Sequence, residues 1–375
     1  MKRFLLLLLV CCVAFSGCAD RKVEEELLVI VLAIDKTERD DYTVAVKVPA
    51  NSSAGEDSSQ QDSSGYMLLQ ATGHSFTDAI SMLNATTPRR LNFSQVREIV
   101  IGDQASKEEN FGRLLQQIDA LPRFRCSAAV IICKEKALSF AEEQKPLVGM
   151  RLSRYAENTL ASNAGKGFTP NTDLCAGVRD LGYGFCDPLF ILGAVNDFSS
   201  TQQPGKENSL DDLAGNLPRK SMEAIEMFGA AATNGISVSG YLTGYEMALL
   251  HLLEGHVEAL TIQINDIPLH ITAKQPAVLS VKTDSEPILL GIALTCNAEH
   301  PPGSVPNAEL VQDRLNKDIF ETVSHLQAMR CDGLAFGDIA VKKFLTVQDW
   351  EAFRWREKYA QAKIEVNVTV QNKEK

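Results

Sequence analysis

The chain has 375 residues, of which 45% are hydrophobic and 23% charged, and its formal net charge is -11. This length and balance are typical of a globular protein with two or three domains. The acidic excess argues against nucleic acid as a partner, because binding to phosphates relies on clustered lysine and arginine. It also argues against broad adhesion to anionic lipid.

The first residues have the layout of an exported protein. Two basic residues precede an apolar run over residues 4–15, and two small residues then lead to Cys18. The run is shorter than the roughly 20 residues that a membrane-spanning helix needs, so it indicates a secretory signal. Small residues before a cysteine match the lipobox of bacterial lipoproteins, although Phe15 stands where leucine is usual. We expect residues 1–17 to be removed and Cys18 to carry lipid; cleavage without lipidation is the alternative.

Six further cysteines follow in the mature chain. They are Cys126, Cys133, Cys175, Cys186, Cys296 and Cys331. Disulfides are permitted outside the cytoplasm, but the spacing cannot assign pairs. No two of the six form a C-x-x-C pair and none lies beside a histidine at metal-ligand spacing, which disfavours zinc. We expect them to be unpaired, buried residues of small apolar type.

Strands and helices alternate through the first 135 residues. The predicted strands are 27–34, 42–48, 66–72, 96–102 and 126–133, and the predicted helices are 76–84 and 110–121. This alternation favours sheet and helix layers that pack on each other. Residues 51–65 lack aromatic and aliphatic core residues, so they are predicted to form a mobile loop.

A polar stretch over residues 198–220 is the best candidate for a linker. Beyond it, the patterns predict strands at 225–231, 236–242, 260–264, 278–282, 289–295 and 364–370, and helices at 243–254, 307–329 and 350–359. We therefore predict an N-terminal α+β domain over 18–197 and a C-terminal α+β region over 221–375, divided further into 221–275 and 276–375. The predicted fold class is α+β and multidomain, with mixed, mainly antiparallel sheets flanked by helices.

The sequence contains no motif that indicates catalysis. A nucleophile elbow, a phosphate-binding loop and a zinc motif each have a spacing fixed by geometry, and none of these spacings occurs. His251 and His256 are five residues apart, which does not place both on one face of a helix, so surface or capping roles are expected. We predict no catalytic residue, no cofactor and no metal. An exported enzyme with a non-standard site is a remaining possibility.

Four stretches, taken in order, carry a further signal. They are the opening GCADR at 17–21, a helix, arginine and strand block at 73–105, a Gly-Tyr-Leu strand and glutamate-bearing helix at 229–255, and a closing block with Cys331, Asp332, Gly333, Phe336, Gly337, Trp350 and Trp355. Together they resemble the Ger(x)C family, the lipoprotein C subunits of spore germinant receptors. Ala19 departs from the tryptophan that is usual in that family.

The resemblance implies a multidomain α+β protein held by its lipid on the outer face of the spore inner membrane. It implies that the protein acts together with a membrane-spanning A subunit and a B subunit and that it has no catalytic residues. It does not specify whether this subunit binds a small molecule. We interpret the chain as a non-enzymatic receptor subunit needed for germination in response to nutrients. The alternative is a solute-binding lipoprotein of a transporter, but the alternation of strands and helices fades after residue 135, unlike in two-lobed binding proteins.

The two tryptophans of the closing block, Trp350 and Trp355, are five residues apart on a predicted helix. We expect them to pack in the core or between domains, and a partner surface is the alternative.

Overall fold

The computed structural model describes residues 25–50, 65–146, 150–198, 210–221, 223–257, 259–265, 267–304 and 306–374. Cys18 and nearly all of the predicted loop at 51–65 lie outside these ranges. The strands, in chain order, are β1 Glu26–Leu28, β2 Val31–Lys36, β3 Tyr42–Pro49, β4 Tyr66–Gly73, β5 Arg90–Asn92, β6 Glu98–Gly102, β7 Ala129–Cys133, β8 Leu189–Val195, β9 Ile225–Thr233, β10 Val238–Leu242, β11 Leu260–Ile264, β12 Ile267–Ala273, β13 Val278–Lys282, β14 Leu289–His300 and β15 Lys363–Glu374.

The described helices occur in both halves of the chain. They are α1 Phe76–Thr86, α2 Asp103–Ser106, α3 Phe111–Asp119, α4 Ala137–Glu143, α5 Leu152–Gly165, α6 Leu174–Tyr183, α7 Gly244–Glu254, α8 Ala308–Ala328, α9 Phe336–Ala340, α10 Val347–Phe353 and α11 Trp355–Ala360, with a 3-10 turn at Val341–Lys343. No helix among the described residues is both long and apolar enough to cross a bilayer.

The first large sheet has a parallel centre and antiparallel wings. Its strand order is β10-β9-β8-β7-β6-β2-β3-β4, and the parallel pairs are β2 with β6, β6 with β7, and β7 with β8. The central strands are almost wholly apolar because helices cover both of their faces. Ile99 and Ile101 of β6 contact the layer that contains α1, α3 and α6, while Val100 contacts the layer of α4 and α5.

The chain returns to this sheet after the predicted linker. Strand β9 pairs with β8, and β10 pairs with β9, both antiparallel. All nine residues of β9 are buried, and small side chains such as Ala230, Ala231 and Ala232 let helices approach it closely. The polar stretch at 198–220 therefore connects two neighbouring strands of one sheet. Strands β9 and β10, which fall within the predicted region 221–375, thus belong to the first sheet, and the second sheet begins at Leu260.

The second sheet is built around the long strand β14. The order β11-β12-β14-β13 is antiparallel, and β15 pairs with β14 in parallel along its whole length. Strands β11 and β12 thus share a sheet with β13 to β15, so the sheet spans the predicted division between 275 and 276. Helix α8 packs on this sheet through Val311, Leu315, Ile319 and Val323. Mixed sheets flanked by helices confirm the predicted α+β class.

Helix α7 joins the two sheets. Leu249, Leu250 and Leu252 are buried in one cluster with Ala230 of the first sheet and Leu290 of the second. A helix that is buried on nearly every side belongs to the interior of a large protein. The two sheets therefore share a continuous apolar core.

Candidate functional site

The predicted lipidation site, Cys18, lies outside the described residues, so the structure does not place it. The residues of the closing block are described, and they converge on a buried joint between the two halves of the chain. We define the joint as Asp187, Asp332, Trp355 and Arg356. Asp187 lies just before β8, while the other three come from the C-terminal segment.

Asp332 is the centre of the joint and is 2% exposed. Its carboxylate accepts hydrogen bonds from the backbone N–H groups of Phe336 at 2.9 Å and Gly337 at 2.7 Å. It also accepts one from the indole Nε1 of Trp355 at 3.0 Å. Burial raises the pKa of Asp332 to about 7, although these donors act in the opposite direction.

Asp187 connects this arrangement to the first sheet. Its carboxylate accepts from the backbone N–H of Asp332 at 2.9 Å and from Arg356 Nη1 at 2.6 Å, and its own N–H donates to the carbonyl of Asp332 at 3.1 Å. Burial raises the pKa of Asp187, and the Arg356 guanidinium partly offsets that rise. The joint thus pairs buried charges with fixed donors, as buried carboxylates require.

The glycines of the closing block fit the same joint. A Cβ on Gly337 would lie 2.0 Å from the carbonyl oxygen of Phe185, and one on Gly333 would lie 3.2 Å from the side chain of Leu189. The backbone at Gly337 can approach Phe185 only because it lacks a side chain. The sequence pattern of this block is therefore explained by close packing around Asp332.

The two tryptophans have different positions. Trp355 is buried in the joint, as expected for a packing residue, but Trp350 is only partly buried. The predicted single helix over 350–359 is wrong, because Arg354 adopts a left-handed conformation with φ 53° and separates α10 from α11. This break turns Trp355 toward Asp332 and leaves α10 without a fully buried residue.

An aromatic surface lies beside the joint. Trp350 contacts the rings of Phe344 at 5.6 Å and Phe185 at 6.0 Å between centroids. Two neighbours of these rings, Leu345 and Val347, are 98% and 68% exposed. Exposed aliphatic side chains next to aromatic rings are typical of interaction surfaces.

Glu246, the glutamate of the resemblance at 229–255, has a local structural role. Thr243 and Glu246 form a capping box at the start of α7, in which Thr243 Oγ1 accepts from the N–H of Glu246 at 3.2 Å and Glu246 accepts from the N–H of Thr243 at 2.8 Å. Glu246 also contacts His325 Nδ1 at 2.6 Å, which raises the pKa of His325. This residue therefore fixes the start of α7 and links it to α8.

A second buried polar group was not predicted. Lys47 and Glu98 are charged residues within otherwise apolar strands, and both are fully buried. Lys47 Nζ donates to the Ala141 carbonyl at 2.6 Å, and Gln144 Nε2 donates to Glu98 at 2.5 Å. Burial raises the pKa of Glu98 to about 7 and lowers that of Lys47 to about 8. The only sequence signal is a single charge in an apolar run.

The cysteine prediction holds in part. Cys126 and Cys175 form a disulfide, so the expectation of an unpaired residue is wrong for these two. The backbone explains the pairing, because Cys175 N–H donates to the Cys126 carbonyl at 3.2 Å where α6 begins. Cys133, Cys296 and Cys331 are free and buried, as predicted, and Cys186 is free and partly exposed.

One cavity has a volume of about 420 Å³ and lies between α5 and the starts of β6 and β7. Its lining combines Arg97 and Arg125 with apolar residues such as Ala164 and Ile191. This volume is within the range of small-molecule sites.

Sequence comparisons place both ends of the chain in spore germination families. Residues 20–189 match the family described as Spore germination protein N-terminal domain. Residues 304–374 match the family described as Spore germination B3/GerAC like, C-terminal. Together the two matches cover more than half of the chain.

Two curated relatives come from Bacillus subtilis (strain 168). Spore germination protein KC is 18% identical over 374 residues, covering 94% of this chain and 90% of the relative. Putative spore germination protein YfkR is 20% identical over 368 residues, covering 96% of this chain and 92% of the relative. A solved structure, described as the crystal structure of the GerBC protein, aligns with a TM-score of 0.49 and 12% identity, covering 91% of this chain and 96% of that one. On the family matches, the chain belongs to the Ger(x)C family of spore germination proteins.

Proposed function

We propose that this protein is a non-enzymatic lipoprotein subunit of a nutrient germinant receptor. The observation that carries the proposal is the pair of family matches at residues 20–189 and 304–374. The curated relatives are named as spore germination proteins and align along nearly their whole length. Neither curated relative is named as a transporter component, so the two relatives give the solute-binding alternative no support.

The proposed anchor is a lipid on Cys18, which would hold the protein on the outer face of the spore inner membrane. Its support is the apolar run at 4–15 followed by small residues and Cys18. Stable attachment through lipid alone requires more than one acyl chain or a second membrane contact. The proposed second contact is with the A and B subunits of the receptor.

The proposal that the protein is not an enzyme draws on the roles of its buried charged residues. Asp332 binds backbone and indole N–H groups, and Asp187 binds Arg356 and a backbone N–H. Hydrogen bonds of this kind hold two segments together and account for both carboxylates without a substrate. These residues therefore support a scaffold that positions a surface for partners.

Deletion of the gene in the spore-forming host tests the proposal. The deletion strain is complemented with the wild type, with Cys18→Ala and with Cys12→Ala, which changes a cysteine of the predicted signal segment. We expect the deletion to abolish germination with at least one nutrient, the wild type and Cys12→Ala to restore it, and Cys18→Ala to restore it poorly. Unchanged germination of the deletion strain with every nutrient to which the host responds would contradict the proposal.

A further inference from the structure

Three potential metal ligands meet where α7 ends. His251, Glu254 and His256 each offer one ligand atom, and these atoms all lie within 4.8 Å of one another. His251 Nδ1 is 3.1 Å from Glu254 Oε2, and His256 Nδ1 is 3.2 Å from the same oxygen. One carboxylate oxygen is thus shared by two imidazole rings.

The helix end brings these residues together despite their spacing. A separation of five residues does not place two side chains on one helical face. However, Gly255 adopts a left-handed conformation with φ 73°, and the N–H of His256 then donates to the carbonyl of His251 at 2.9 Å. This reversal, which is a common way for helices to end, folds His256 back over the last turn. His256 is exposed, as expected for a surface residue, whereas His251 is buried, and both rings face the same carboxylate oxygen.

The hydrogen bonds of His251 determine which ring nitrogen carries a proton. Nε2 lies 3.0 Å from the carbonyl oxygen of Thr169, and a carbonyl oxygen can only accept, so Nε2 is the donor. In a neutral ring the lone pair is then on Nδ1, which faces the Glu254 carboxylate at 3.1 Å. Two acceptors at that distance repel each other unless a positive charge lies between them. That charge is either a second proton on His251 or a metal ion.

The surroundings suit a metal ion. The bond from His251 to a backbone carbonyl is the outer-shell contact by which metal-binding histidines are oriented. In a tetrahedral Zn²⁺ site with bonds of about 2.0–2.1 Å, neighbouring ligand atoms lie about 3.4 Å apart, close to the 3.1 and 3.2 Å that separate Glu254 Oε2 from the two Nδ1 atoms. The carboxyl end of α7 also carries the negative end of the helix dipole, which favours a cation.

Access to the cluster is graded. The side chain of His251 is 8% exposed, that of Glu254 is 36% exposed and that of His256 is 70% exposed. The buried histidine is held rigidly by Thr169, while the exposed one leaves an entry path and room for a further ligand. Three protein ligands with one open position form a common zinc arrangement.

We propose that His251, Glu254 and His256 bind one Zn²⁺ through Nδ1, a carboxylate oxygen and Nδ1. The ion ties the end of α7 to the chain that leads into β11 and, through Thr169, to the segment before α6. It thereby stiffens the link between the two sheets. The inference does not rest on the receptor function, because it is tested on the purified protein without germination.

Competition with a chromophoric zinc chelator measures the affinity and stoichiometry of the purified full mature chain. The variants are His256→Ala and Glu254→Gln, and the matched control is His74→Ala, which removes an exposed histidine that contacts Asp41. The series is repeated on a Cys186→Ser background, since Cys186 is a partly exposed thiol. Co²⁺ then serves as a spectroscopic probe of a four-coordinate site.

We expect one equivalent of Zn²⁺ to bind the wild type and His74→Ala, and both cluster variants to bind roughly tenfold more weakly or worse. The thermal midpoint of the wild type rises with Zn²⁺ and that of His256→Ala does not. Absence of stoichiometric binding, or equal affinity in His256→Ala, would overturn the proposal. In that case, NMR titration showing a doubly protonated His251 would identify a proton as the charge between the ring and Glu254.

Discussion

Asp332→Ala is the change to which the joint between the two halves should be most sensitive. The substitution leaves three buried donors without an acceptor, namely the N–H groups of Phe336 and Gly337 and the indole of Trp355. Each unpaired buried donor costs about 1–3 kcal/mol, so the loss of one acceptor for three donors should lower the free energy of unfolding by about 3 kcal/mol or more. A loss of this free energy is larger than most single substitutions cause, and it is a large part of the total stability of most proteins.

The assay is urea denaturation followed by tryptophan fluorescence. Trp350 and Trp355 are the only two tryptophans of the chain, and both lie at or beside the joint, so the signal reports its opening directly. Asp338→Ala is the matched control, because Asp338 is an exposed aspartate on α9, the short helix whose first N–H groups donate to Asp332. Trp355→Phe removes one hydrogen bond and part of a buried ring, so it should cost about 2 kcal/mol.

The comparison with the control decides the outcome. We expect Asp338→Ala to change the free energy of unfolding by less than about 0.5 kcal/mol, as is usual for surface positions. An Asp332→Ala variant within that same margin of the wild type would refute the reasoning. It would mean that Asp332 contributes no net stability through its three hydrogen bonds.

Three further predictions follow from local geometry. Gly229→Ala should lower the free energy of unfolding by about 2 kcal/mol or more, because Gly229 has φ 81° and a Cβ would lie 2.2 Å from the Leu242 carbonyl oxygen. An unchanged midpoint in urea denaturation would contradict this prediction. Replacing Cys126 and Cys175 by serine removes a cross-link between residues 49 positions apart and gives the unfolded chain more conformational entropy. The free energy of unfolding should therefore fall by about 4 kcal/mol, and equal stability of the double variant would argue against the disulfide. The pKa of Asp332 is about 7 in the folded state and about 3.9 in an unfolded chain, so between these values the folded state binds more protons and its stability falls as the pH rises from about 4 to about 7. Asp332→Asn should reduce this pH dependence in urea midpoints measured across the range. An equally steep pH dependence in the variant would count against Asp332 as its source.

Local features could be predicted from the sequence because their causes are local. Ser75 and Thr243 cap α1 and α7 through contacts with residues a few positions away, so the observed helices lie close to the predicted ranges 76–84 and 243–254. The alternation in β15 predicted a strand for the same reason, although the strand extends further than 364–370.

Long-range features were missed because neighbouring residues do not encode them. The helix breaks at Arg354, which adopts a left-handed conformation although it is not a glycine. The break allows the indole of Trp355 to donate to Asp332, 23 positions earlier. Likewise, the mostly apolar residues of β9 predict a buried strand but do not predict which strand is its neighbour. Its pairing with β8 depends on shape complementarity across the sheet. Periodicity predicts which face is buried but not which strand is the neighbour.

The candidate sites were likewise predictable only in their local features. The closing block could be recognised from its residues, yet only the structure shows that Asp332 binds backbone N–H groups and that Trp350 remains partly exposed. The cluster of His251, Glu254 and His256 could have been suspected from the glycine at 255, which allows the chain to reverse. A search for metal sites that considers only one helical face misses such reversals.

The most direct test of the proposed anchored subunit is intact mass spectrometry with membrane fractionation of the native protein beside Cys18→Ala. We predict a native chain that begins at Cys18, carries acyl mass and sediments with membranes together with other receptor subunits, and a variant that is lost from that fraction. A native protein that is soluble and unacylated would contradict the lipid anchor and, with it, the proposal of a membrane-anchored subunit.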